Sequence, residues 1–144
     1  DSVSQYDNIE SLGELSRTDL MTLYQKCDFG FCFLSPTNNY VNSLPTKLFE
    51  YLSHDIIPIV SDFFYWKKIF GDDGPLLFVK SFDAATILKI MEEYHSDEIK
   101  LRKYRKKCRE FLSLSRTWES EFPNLLLAYE KLLFPRQLLK SDRV

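Results

Sequence analysis

The chain has 144 residues, 44% of them hydrophobic and 28% charged, with a formal net charge of −2. That length allows one domain with a core of its own, and not comfortably two. The charge excludes a protein that coats nucleic acid.

Cys27, Cys32 and Cys108 form no close CxxC pair, which argues against a disulfide framework or a zinc site and for a reduced, cytoplasmic setting. No apolar run reaches the ~18 residues of a membrane-spanning helix, and the opening residues do not read as a secretory signal. The chain opens with Asp-Ser-Val-Ser rather than Met, as expected of a piece of a longer protein.

Asn8 to Leu12 is a short candidate strand ending at Gly13. Ser16 or Thr18 can cap a helix there, with Asp19 in its first turn and Leu20, Leu23, Tyr24 and Cys27 as its buried stripe. Phe29 to Leu34 is apolar on both alternations, the pattern of a parallel strand covered on both faces. A polar loop, Pro36 to Ser43, leads into a helix with Pro45 in its first turn, which ends near His54 and Asp55. Ile56 to Val60 reads as a second buried strand. Pro58 fits only near its start, because proline cannot donate to the ladder.

Phe63 to Phe70 is a short aromatic helix or turn, closed by Gly71-Asp72-Asp73-Gly74, and Leu76 to Val79 is a fourth short strand. Helices are expected over Asp83 to Tyr94, Glu98 to Leu112 and Glu121 to Phe134, the last beginning close to Pro123. The tail, 135–144, is expected to fray. Strands alternating with helices predict an α/β protein: a Rossmann-like three-layer α/β/α domain over 1–144 with a short parallel sheet of about four strands. An open edge on so thin a sheet invites self-association.

Chemistry concentrates at Asn42 to Tyr51. Leu44, Leu48 and Leu52 make a packing stripe, while Thr46, Lys47 and Glu50 share another side. Free amides at a helix start favour an anion such as a diphosphate, and Lys47 adds a mobile positive charge. Glu50, one turn further in, suits a ribose diol. An exposed Lys47–Glu50 ion pair, worth a few tenths of a kcal/mol, is an equally open reading.

Other motifs carry less. The four glycines form neither GxGxxG nor a P-loop. His54 beside Asp55 lacks a serine elbow, which leaves it a capping role, and Asp72 and Asp73 read as a solvated turn. Lys100 to Arg109 holds seven basic residues. It is either a solvated outer face or a surface for weak, salt-sensitive contact with an anionic membrane. Phe63, Phe64, Tyr65 and Trp66 offer a different possibility, a non-catalytic module that recognises a protein partner.

The order Asp19-Leu20…Leu23-Tyr24…Cys27-Asp28, then Ser35-Pro36, Asn42-Ser43-Leu44-Pro45-Thr46-Lys47-Leu48-Phe49-Glu50-Tyr51 and Pro58-Ile59-Val60 resembles group 1 glycosyltransferases, of the family 4 type with the GT-B fold. Thr117-Trp118 and Tyr129 in a closing helix are similar too. The resemblance covers most of Ile9 to Leu133, and its specific part is Lys47 to Tyr51. It implies the later part of a carboxy-terminal domain that binds a nucleotide-diphosphate sugar as substrate, without a metal or other cofactor, for retaining transfer in polysaccharide biosynthesis. The acceptor, a glycan or lipid-linked, would bind a separate amino-terminal domain. The protein would then be cytoplasmic or peripheral to the inner membrane face, and this piece alone inactive.

The resemblance implies donor binding by Asn42, Ser43, Thr46, Lys47 and Glu50. It identifies no catalytic residue. Of the pair of glutamates typical of the family, Glu50 matches the ribose-binding one, whereas Asn42 stands where the other belongs. Asp55-Ile56-Ile57 replaces the glycine usual before the next strand.

Overall fold

A computed structural model of the chain describes residues 6–114 and 117–133. Its sheet has β2 (Ile57–Ser61) at the centre, with β1 (Phe29–Cys32) on one side and β3 (Leu77–Val79) on the other, all parallel. Phe29 lies opposite Ile57, and Ile59 opposite Leu77.

All five residues of β2 are buried, which explains why its sequence is apolar on both alternations. Pro58 is tolerated in this central strand for a register reason. The Ile57 amide donates to Asp28 on the β1 side, so the next residue faces β3, whose ladder starts only opposite Ile59. No ladder hydrogen bond is lost there. The first strand stops at Cys32 rather than Leu34 because the buried Ser61 hydroxyl takes over. It accepts from the Leu34 amide at 2.8 Å and donates to the Leu34 carbonyl at 3.1 Å.

Seven helices are described: α1 (Arg17–Tyr24), α2 (Asn38–Val41), α3 (Thr46–Ser53), α4 (Phe64–Phe70), α5 (Ala84–His95), α6 (Glu98–Ser113) and α7 (Trp118–Leu133). Helix α3 packs on β1, β2 and α6, and α5 packs on α6. The core gathers Leu48 and Leu52 of α3, Ile57 and Val60 of β2, Trp66 and Phe70 of α4, and Tyr104 and Cys108 of α6. Burying Leu52 completely stabilises the fold by roughly 2 kcal/mol. The Tyr104 hydroxyl is buried with no partner among the described residues, and burial pushes its pKa well up.

Three expectations are corrected. Asn8 to Leu12 is no strand: it has no sheet neighbour among the described residues, and Ile9 and Leu12 are exposed. The sheet described is therefore three strands rather than four. Helix α7 begins at Trp118, well ahead of Pro123, because the Thr117 hydroxyl accepts from the Ser120 amide and starts the first turn. Pro45 is the N-cap of α3 rather than part of its first turn. The expected frayed tail, 135–144, and Phe134 lie outside the described residues.

Two local devices shape the ground around α3. Gly30 leaves room for the Tyr51 ring, which a β-carbon there would meet at 2.6 Å. Tyr51 thereby lies across β1 and donates its hydroxyl to the Phe31 carbonyl at 3.3 Å. After α3, Asp55 adopts φ 59°, the left-handed conformation in which a helix commonly closes with glycine. Its carboxylate pairs with Arg109 at 2.5 Å.

Candidate functional site

Helix α3 follows β1 through a loop that carries α2, and so starts toward the carboxyl ends of the parallel strands, where open α/β sheets receive ligands. Its N-cap is a proline, with no side-chain oxygen to accept from the first turn. The Leu48 amide donates to the Pro45 carbonyl at 3.1 Å; the Thr46 and Lys47 amides before it have no intrahelical acceptor, and with the macrodipole they favour an anion by about 0.3–1 kcal/mol. Leu48 and Leu52 are wholly buried and Leu44 packs against the same core. The opposite side, with exposed Thr46 and Lys47 and half-buried Glu50, is left to polar contact.

The Lys47–Glu50 ion pair does not form. Glu50 Oε2 instead accepts a hydrogen bond from the Tyr24 hydroxyl of α1 at 3.2 Å. Lys47 has no hydrogen-bond or ion-pair partner among the described residues. Its charge reaches as far as the buried Cys32 thiol, which burial pushes up in pKa and Lys47 draws partly back. The Tyr24 phenol is pushed up to about 12, first by burial and then by the Glu50 charge, so it remains a donor at neutral pH.

Asn42 is the exposed C-cap of α2. Ser43 follows it, and its main chain is held from below. The Trp66 indole donates to the Ser43 carbonyl at 2.5 Å, while the Ser43 hydroxyl donates to Tyr40 at 3.3 Å. Trp66 therefore supports the loop from the core. Together with Phe63 it is buried, and among the four aromatics suggested for partner recognition Phe64 alone is fully open. That aromatic surface is not assembled.

His54 caps α3, as expected. Its Nδ1 lies 2.8 Å from the Glu50 carbonyl and its Nε2 3.0 Å from Met21 Sδ. Those contacts, with the Tyr24 ring edge-on to Tyr51 at 5.8 Å, seat α1 against the second half of α3. Asp72 is an exposed turn residue, 3.8 Å from Lys67.

A cleft of about 290 Å³ opens at the same carboxyl end of the sheet, lined by Leu34, Pro36, Ser61, Asp62, Phe63, Val79, Lys80 and Phe82. Phe82 stacks on Phe33 at 4.7 Å. Lys80 and Phe82 belong to no motif in the sequence. Their signal is positional, since both fall within three residues of the carboxyl end of β3.

The basic helix α6 is largely neutralised by its own chain. Lys100 pairs with Glu93, Arg102 with Glu98, Arg105 with Asp28, Lys106 with Glu110 and Arg109 with Asp55. Lys107 donates to the Asp73 carbonyl. No helix among the described residues is long and apolar enough to cross a membrane.

No curated protein and no solved structure matches the chain. A family model described as glycosyl transferases group 1 matches residues 2–111, which takes in the sheet, the loop, α3 and nearly all of α6. Helix α7, with Trp118 and Tyr129, lies beyond the match. The match spans well over half the sequence and includes Asn42 to Tyr51, so the chain belongs to the group 1 glycosyl transferases.

Proposed function

We propose that this chain supplies the donor-binding site of a retaining glycosyltransferase with the GT-B fold. It would use a nucleotide-diphosphate sugar and pass the sugar to a glycan or lipid-linked acceptor held by another domain. The leading amides of α3 and the Lys47 ammonium receive the diphosphate, whose negative charge grows as the sugar leaves. Glu50 accepts hydrogen bonds from the ribose diol. Asn42, Ser43 and Thr46 are within the loop and first turn that would surround the phosphates and the sugar. Asn42 can hydrogen-bond sugar hydroxyls, but it cannot act as a carboxylate.

The observation that carries this reading is the division of charge on α3. Lys47 has no hydrogen-bond or ion-pair partner among the described residues at the helix start, and Glu50, one turn on, is held by a neutral phenol rather than cancelled by the lysine. A solvated surface pair would have brought the two together.

Calorimetric titration of the intact protein with UDP, GDP and ADP tests it. Glu50→Ala is expected to weaken the preferred nucleotide by at least about tenfold, the scale of a lost hydrogen bond to a charged group. Unchanged affinity would remove Glu50 from the site.

A further inference from the structure

We propose that Tyr24 is a positioning residue for Glu50: its phenol fixes one carboxylate oxygen so that the other is presented to a ribose. The inference rests on Glu50 being the ribose ligand. Helix α1 buries none of its residues, yet it ends on a tyrosine whose hydroxyl reaches a carboxylate 26 positions further along the chain. The ring already takes part in docking the helix, through its edge-on contact with Tyr51 and its tilted contact with His54 at 5.1 Å, beside the Met21–His54 contact. The hydroxyl adds one thing, an aimed hydrogen bond to Oε2 of a half-buried glutamate. Oε1 has no partner among the described residues.

A glutamate on a helix otherwise rotates about three side-chain torsions, and a diol held by two hydrogen bonds needs one of those arrangements. The phenol supplies that restraint without adding charge. An arginine or lysine in its place would compete with the ligand for the carboxylate. A phenol takes one lone pair and leaves the rest of the acceptor capacity in place.

The experiment compares UDP, GDP and ADP with their 2′-deoxy counterparts in calorimetric titrations of the intact protein, carrying forward the best-bound base. Tyr24→Phe keeps the docking ring. It is expected to cut the preference for ribose over deoxyribose about fivefold, while affinity for the deoxy form shifts less than about twofold. In a Glu50→Ala background the same change is expected to do nothing further, because its partner is gone. Thermal melts establish that each variant is folded.

Equal weakening of ribo and deoxy forms by Tyr24→Phe, or an effect that persists in the Glu50→Ala background, overturns the positioning role and leaves the hydroxyl as a docking contact. Loss of ribose preference in Glu50→Ala with full preference in Tyr24→Phe overturns this inference alone. Ribose preference untouched by Glu50→Ala, or no binding of any of the six nucleotides, overturns the reading of Glu50 and this inference with it.

Discussion

Helices α3 and α6 pack against each other, and both turn charged side chains outward, but they dispose of that charge in opposite ways. Along α6 nearly every cation has an acceptor in its own chain, some on the same helix and some reaching to Asp28, Asp55 and Asp73. On α3 the lysine has no ion-pair partner among the described residues, and the glutamate is met by a phenol. Density of charge therefore misleads as a guide to function. The basic run of α6 looked the more conspicuous in sequence, but its charges are spent within the fold. The sparser charge on α3, beside the leading amides of Thr46 and Lys47, is what the proposed donor site would use.

The contrast can be broken most severely from beneath α3. Leu52→Ala is expected to cost about 2–5 kcal/mol of stability in chemical denaturation, because the residue is fully enclosed by sheet and α6. A loss under about 1 kcal/mol would mean that α3 is not seated on the core. On the α6 side of the same contact, Tyr104→Phe is expected to raise stability by about 1 kcal/mol, since it removes a buried hydroxyl that has no partner among the described residues. A destabilised variant would show that the hydroxyl is satisfied.

The smallest effect sharpens the comparison best. Lys106→Ala removes an exposed pair with Glu110 and is expected to change stability by no more than about 0.5 kcal/mol. Nucleotide affinity should not move. A clear loss of affinity would put α6 in the site and undo the distinction between the helices.

Much of this was legible in the residues. The spacing of Leu44, Leu48 and Leu52 announced which side of α3 is buried, and the apolar run of Ile56 to Val60 announced a doubly covered strand. The helix expected from Asp83 does begin there, with Asp83 as its N-cap accepting from the Thr86 amide at 2.8 Å.

What escaped depends on distance along the chain. The Tyr24–Glu50 hydrogen bond arises only once α1 lies on α3, and spacing rules within a helix cannot see it. Trp66 stood in the sequence among Phe63, Phe64 and Tyr65 with nothing local to separate it from the exposed Phe64. Its burial comes from the turn of a short helix over the core. Helix α2 was missed since four residues are too few to show a period. Asn8 to Leu12 failed for the opposite reason: local pattern suggested a strand, but no neighbour takes up its hydrogen bonds among the described residues.

The tyrosine laid across Gly30 has a consequence for how this sheet behaves in company. An open strand edge offers a row of acceptors and donors to any passing chain. By occupying the Phe31 carbonyl, the Tyr51 hydroxyl interrupts that row at its middle. An incoming strand must first evict a phenol rooted in α3, next to the glutamate that Tyr24 holds. The β1 edge of the described sheet is thus guarded, by the same helix whose outer face carries the proposed donor site.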